Sequence, residues 1–302
     1  MSAALPLVKF VSMNKTEIGA LISLLDDPDG DVFENVRGKL MSMGRDVIPQ
    51  LEQAWEHSFD PTMQKRIEQI IHSIQFDVTK KILLEWSEPG EQGLLEGALI
   101  IAKYQYPDLD EQKIRKQIEQ LKQDVWLELN SNLTAFEKVK VLNHIIFEVH
   151  GFSGNTSNYH APQNSYLNNV LESKRGNPLS LSIIYALIAQ ELSIPIYGVN
   201  LPEHFVLAYV DDYESWPPER EENDKILFYI NPFSKGAIFT RKEIEAFLRQ
   251  LKLTVIPQFY LPCTNLDMIR RLLNNLLNSY EKLGYPSKVN ELKELMEAVR
   301  NS

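Results

Sequence analysis

The chain has a single cysteine, Cys263, in 302 residues, which excludes an internal disulfide framework and suits a reducing compartment. No apolar run approaches the roughly 20 residues that cross a bilayer. Residues 1–13 place Lys9 inside a short apolar run, without a basic head or a small-residue cleavage pattern, so no secretory signal is expected and a cytoplasmic location is. Positive charge is scarce: 31 Lys and Arg against 41 Asp and Glu leave a formal charge of -10. With no Lys/Arg stripe carrying interleaved aromatics, neither nucleic acid nor an anionic membrane is an expected partner. Histidines are few and scattered. His57, His72 and His160 stand alone, and neither His144 nor His150 reads as paired at i, i+4 with a histidine or carboxylate on an evident shared face. Glu203 and His204 lack further ligands, so neither a metal nor another cofactor is expected.

What is present is an ordinary apolar fraction, 44%, enough to build two or three packed units. Residues 15–90 read as helices. Ile18, Leu21, Ile22 and Leu25 mark the first, stopped by the Asp- and Pro-bearing turn at 26–30; Val32, Phe33, Val36, Leu40 and Met43 mark the second, ended by Gly44. Val47, Ile48, Leu51 and Trp55 mark a third, and Asp60 caps a fourth that opens on Pro61 and runs through Met63, Ile67, Ile70, Ile71 and Ile74. Helices separated by Asp-Pro and Gly-Arg-Asp turns resemble HEAT-type repeats, although a plain helical bundle or a cap on the core fits the same pattern.

Helical spacing continues through residues 92–149, including Leu94 to Ala102, an amphipathic stretch with Ile114, Ile118, Leu121 and Val125, and a helix capped by Thr134. A polar, turn-rich loop fills 151–163. Two strands are expected over 194–199 and 205–210, a third over 226–230, and a last at 253–256 closing the sheet. Residues 211–224 are acidic and proline-bearing and read as an exposed hairpin loop, where Trp216 beside Pro217 and Pro218 offers a partner contact. Thr240 caps a helix from 241 to 251. After Pro257 and Pro262 two helices follow, split at Gly284, Tyr285 and Pro286.

The chain is organised around residues 175–205. Pro178 suits a first helical turn, Gly176 allows a close approach, and Ile183, Ile184, Leu187 and Ile188 with Ala186 and Ala189 describe a helix apolar almost all round, which belongs inside a domain. His204 stands at the head of the second strand. A helix N-terminus beside a strand histidine is the layout of Cys-His catalysis, since the helix end favours a thiolate and the imidazole takes the proton.

These residues resemble the transglutaminase-like superfamily. Residues 164–182, NSYLNNVLESKRGNPLSLS, are similar to its SirB-type bacterial branch, also met within some F-box proteins, and the PDLD of 107–110 and Asn231, Pro232 and Phe233 fit the same branch. The resemblance covers residues 92–256 and implies an α+β fold: a cysteine-protease/transglutaminase-like core, a buried helix packed on a small antiparallel sheet. HEAT-like helices would occupy 1–90, the core 91–256, and a tetratricopeptide-like helical hairpin 257–302. It also implies a damaged site. The family nucleophile falls on Pro178, which has no reactive side chain; its histidine is His204, and its strand Asp corresponds to Asn231. The family's cleft loop makes Tyr159, Asn164 and Tyr166 candidates to line the cleft, with Asn177 and Glu203, while hydrogen bonds that merely hold the loop are the competing reading. Cys263 lies in the wrong order to replace the nucleophile.

Two functions remain. The first is a non-catalytic, regulatory module that binds a protein or peptide in the retained cleft. The second is a peptidase-like hydrolase or acyltransferase using Ser180, His204 and Asn231. Ser180 follows Pro178 by two residues, about 200 degrees around a helix, so it should face elsewhere.

Overall fold

A computed structural model describes residues 15–90, 92–211 and 225–300. The chain forms two compact units, divided between Lys81 and Ile82. In the first, α1 (Lys15–Ser23), α2 (Gly30–Ser42), α3 (Ile48–His57) and the part of α4 (Pro61–Ser87) up to Lys81 follow the expected periodicity. Asp29 caps α2 by accepting from the Asp31 N–H, and Asp60 accepts from the Thr62 N–H at 2.9 Å ahead of α4. Leu25, Leu40, Val47, Leu51, Ile67 and Ile70 are fully buried together. Trp55 departs from the predicted core stripe: it is 38% exposed, because its indole N–H reaches out to Glu68 at 2.9 Å.

The second unit opens with α5 (Leu94–Gln105), α6 (Glu111–Glu128) and α7 (Ala135–Asn143), the last continued by a π-helical turn over His144–Val149. Thr134 and Glu137 form a reciprocal capping box at α7. Two histidines expected to stand alone are paired here. His144 Nδ1 lies 2.8 Å from Glu148, one turn on, and His150 Nε2 lies 2.7 Å from Asp124 of α6. The first pair was legible as an i, i+4 spacing on a helix that continues past its expected face; the second is made by packing α6 on that turn.

Short parallel strands β1 (Ser153–Gly154) and β2 (Arg175–Gly176) tie the start of the loop to the chain ahead of the central helix. Between them lies α8 (Leu167–Ser173). The central helix α9 (Pro178–Glu191) is buried continuously from Pro178 to Ala189 and packs on β3 (Ile196–Val199) and β4 (Val206–Val210). The antiparallel sheet is completed by β5 (Ile226–Asn231) and β6 (Ala237–Phe239), in the order β3-β4-β5-β6. This is the α+β arrangement expected, with one correction: residues 253–256 form no strand. Lys252 turns left-handed at φ 58° to end α10 (Arg241–Gln250), and the edge of β5 is already taken by β6, the nearest chain after the Lys235–Gly236 turn. Asp211 and Lys225 close the β4–β5 hairpin at 2.8 Å. Trp216, Pro217 and Pro218 lie outside the described residues. Finally α11 (Asn265–Leu283), capped by Thr264, packs on α5 and α9 and pairs with α12 (Pro286–Ala298).

Candidate functional site

The start of α9 sets the site. Asn177 is its N-cap: the side-chain oxygen accepts from the Ser180 N–H at 2.9 Å, and the Asn177 N–H donates back to Ser180 Oγ at 3.0 Å. Ser180 Oγ also donates to the Asn177 carbonyl at 3.3 Å, so the hydroxyl is committed as donor and acceptor to the helix end. A Cβ on residue 176 would crowd that oxygen at 2.6 Å, which is why glycine stands there. Pro178, at the first helical position, lines a cavity of about 350 Å³ together with His204, Asn177 and Glu203; Ser180 is not part of that lining. The rotation between residues 178 and 180 thus turns the Ser180 hydroxyl to the helix end and away from the cavity that the imidazole lines.

His204 is held from β5. Asn231 Oδ1 accepts two backbone N–H groups, from Phe233 at 3.1 Å and Ser234 at 3.3 Å. A backbone N–H can only donate, so the orientation of the amide is decided: its Nδ2 faces His204 Nε2 at 3.1 Å and donates to it. The imidazole is therefore neutral, with its proton on Nδ1 and its one lone pair engaged. Burial pushes its pKa down, and the Arg271 charge adds to the effect. A Cys-His-Asn base needs the reverse arrangement, an amide oxygen accepting from the ring so that the other nitrogen is free. Here His204 is a hydrogen-bond donor beside a proline.

The other wall comes from α11. Arg271, Asn275 and Lys282 line the cavity, and Arg271 Nη1 donates to Asn200 Oδ1 at 3.0 Å. Desolvation lowers the Arg271 pKa. At the rim Lys282 Nζ sits 3.2 Å from His160 Nε2, and Tyr159 packs edge-on against His160 and Phe233 with centroids 5.2 and 6.0 Å away. Glu203 adopts a left-handed conformation, φ 60°, immediately before His204, and the His204 N–H closes that turn on the Leu201 carbonyl at 3.1 Å.

Of the residues named for the cleft, Tyr159, Asn177 and Glu203 line this cavity, whereas Asn164 and Tyr166 do not. Asn164 is buried beneath the loop and holds it: its Nδ2 donates to the carbonyls of Asn158 at 2.7 Å and Tyr159 at 3.1 Å, and its oxygen accepts from Asn155 at 2.9 Å. Tyr166 turns inward, its hydroxyl 3.2 Å from that of Tyr280. His160 and the α11 residues were missed. The signal for the latter was readable: Arg271, Asn275, Asn278 and Lys282 recur at helical spacing on the side opposite Leu266, Ile269, Leu273 and Leu276.

Cys263 lines a different cavity, with Asn200, Pro257 and Asp267. Burial raises its pKa far above the ordinary thiol range, and Asp267 adds to the shift. Iodoacetamide at pH 8 is expected to label it at least about tenfold more slowly in the folded chain than in urea, since only the thiolate reacts. Equal rates would show an activated thiol. Among the described residues, no group of three or more His, Cys, Asp or Glu is placed to hold a metal ion.

No solved structure matches the chain significantly. Among curated proteins, a UPF0162 protein of Xylella fastidiosa (strain 9a5c) is 30% identical over 198 residues, 62% of this chain and 64% of the relative. The UPF0162 protein PM0557 of Pasteurella multocida is 35% identical over 124 residues, 41% of this chain and 42% of the relative. F-box only protein 21 of Mus musculus is 27% identical over 156 residues, 52% of this chain and 24% of that protein. The chain thus spans less than two thirds of these relatives' own length. The profile of the transglutaminase-like superfamily matches residues 112–274, from α6 through the sheet and into α11. On that match, which spans the buried helix, the antiparallel sheet and both His204 and Asn231, the chain belongs to the transglutaminase-like superfamily.

Proposed function

We propose that this chain is a non-catalytic member of the superfamily, of its SirB-type branch, that binds a peptide segment of a partner protein in the cavity between α9, His204 and α11, and acts in the cytoplasm. The HEAT-like reading of residues 1–90 and the tetratricopeptide-like reading of 257–302 belong to the same proposal, as helical flanks around a core at 91–256. One observation carries it: the Asn231 amide donates to His204 Nε2 at 3.1 Å and so occupies the lone pair a base would use. With Pro178 at the nucleophile position, the pocket keeps its walls and polar groups but no reactive pair. Such a cavity recognises rather than cleaves.

The test measures binding and turnover on the same protein. Fluorescent acetylated hexapeptide pools of random sequence are expected to bind the full chain by anisotropy and to remain intact. A panel of ester and amide substrates is expected to give no turnover above buffer. Turnover that Ser180→Ala abolishes would overturn the proposal.

A further inference from the structure

Four of the polar α11 residues that line the cavity share one face of the helix and pass from half-buried to exposed. Arg271 and Asn275 are half-buried, while Asn278 and Lys282 are exposed, so the stripe leads from the interior outward. Arg271 uses one of its five N–H groups on a neutral partner, Asn200. Among the described residues no carboxylate lies within ion-pair range of it. Its neighbour Arg270 is, by contrast, fully engaged: it donates to the Val299 carbonyl and pairs with Asp267 at 3.5 Å. A guanidinium drawn out of water without a counter-charge is costly unless a ligand supplies one, and its planar fork matches a carboxylate bidentately. Asn275 and Asn278 make no hydrogen bond among the described residues, and each carboxamide can both donate to and accept from a peptide backbone. Arg271 and Lys282 are separated by eleven residues, about 16 Å along the helix axis. An extended peptide of about five residues covers that distance. A phosphate dianion would call for two cations at one end, and Lys282 stands at the other.

We infer that Arg271 binds the carboxylate at the C-terminus of a peptide, whose chain runs outward along α11 past Asn275 and Asn278 to Lys282. The inference rests on the peptide-binding reading above and names the group that reading leaves open. The body of the peptide is non-acidic, because Glu203 and Glu281 stand at the rim and the chain carries a formal charge of -10.

The probes are fluorescent random hexapeptides lacking Asp and Glu, made with a free C-terminus, with a C-terminal amide, and with the amide plus one internal Asp. Wild-type protein is expected to bind the free-carboxylate pool at least tenfold more tightly than the neutral amide pool. Arg271→Gln should erase that preference, and Lys282→Gln, on an exposed residue, should weaken binding twofold to threefold. Because amidation is tested on the unaltered protein, the result stands even if Arg271→Gln fails to fold. Equal rescue by the internal Asp supports the carboxylate assignment and moves its source to a side chain. Equal affinity for all three pools overturns the inference and leaves peptide binding intact, whereas binding of none removes both.

Discussion

Asn231→Asp is expected to carry the His204 pKa from below 6.5 to above it, and to reverse the pH dependence that this residue contributes to folding. In the native chain the amide donates to Nε2 and can only favour the neutral ring, in the same sense as burial and the Arg271 charge. The unfolded chain then binds the more protons between the lowered folded value and 6.5. Stability rises with pH across that window and is lost as pH falls through it. In the Asp variant one oxygen keeps the Phe233 and Ser234 N–H groups and the other faces Nε2. A carboxylate there favours the imidazolium. The folded state then binds the more protons, so the added stability is complete below 6.5 and disappears as pH rises through the raised value. The exposed Glu203 beside the ring is the same in both proteins, so the comparison isolates residue 231. Following the His204 ring Cε1–H by NMR gives both values directly, and urea midpoints at pH 5.5 and 7.5 give the sign. A ring that titrates below 6.5 in both proteins would mean that the amide is not the donor. The variant is not expected to gain turnover, because Pro178, which lines the cavity with His204, has no nucleophilic side chain.

The second large effect is expected at Gly236→Ala, which should cost about 3 kcal/mol or more in urea unfolding. Gly236 sits at φ 73° in the turn that follows Asn231, and a Cβ there would overlap the Asn143 carboxamide. That carboxamide cannot step aside freely: its Nδ2 donates to the Gly236 carbonyl at 2.9 Å, and its oxygen accepts from the Tyr185 hydroxyl of α9 at 3.0 Å. The left-handed backbone costs an alanine about 1–2 kcal/mol. Breaking one or two partly buried hydrogen bonds adds about 1 kcal/mol each. Gly284→Ala is the control. Gly284 caps α11 at φ 74° with nothing within 4 Å of its added Cβ, so only the backbone term applies, about 1 kcal/mol. Equal losses at the two positions would remove the Asn143 clamp from the account.

Pattern and local chemistry carried much of this fold. The all-round apolar run of α9, the proline at its start, the cap residues Asp60, Thr134 and Thr240 and the Gly284 stop are read within one or two turns of chain, and each appears where its spacing places it. The separation of Ser180 from residue 178 follows from helix rotation alone. The residues that make the site a site lie far apart in sequence. Nothing near Asn164 or Tyr166 tells that one is buried under its loop and the other faces Tyr280, because burial is decided by what arrives from α11. In the same way, the exchange of a predicted strand at 253–256 for β6 depends on which segment reaches the free edge of β5 first. Residue types could put a histidine and an asparagine together, but which way the amide faces, and hence whether the ring accepts or gives a proton, required the two backbone N–H groups of the folded turn.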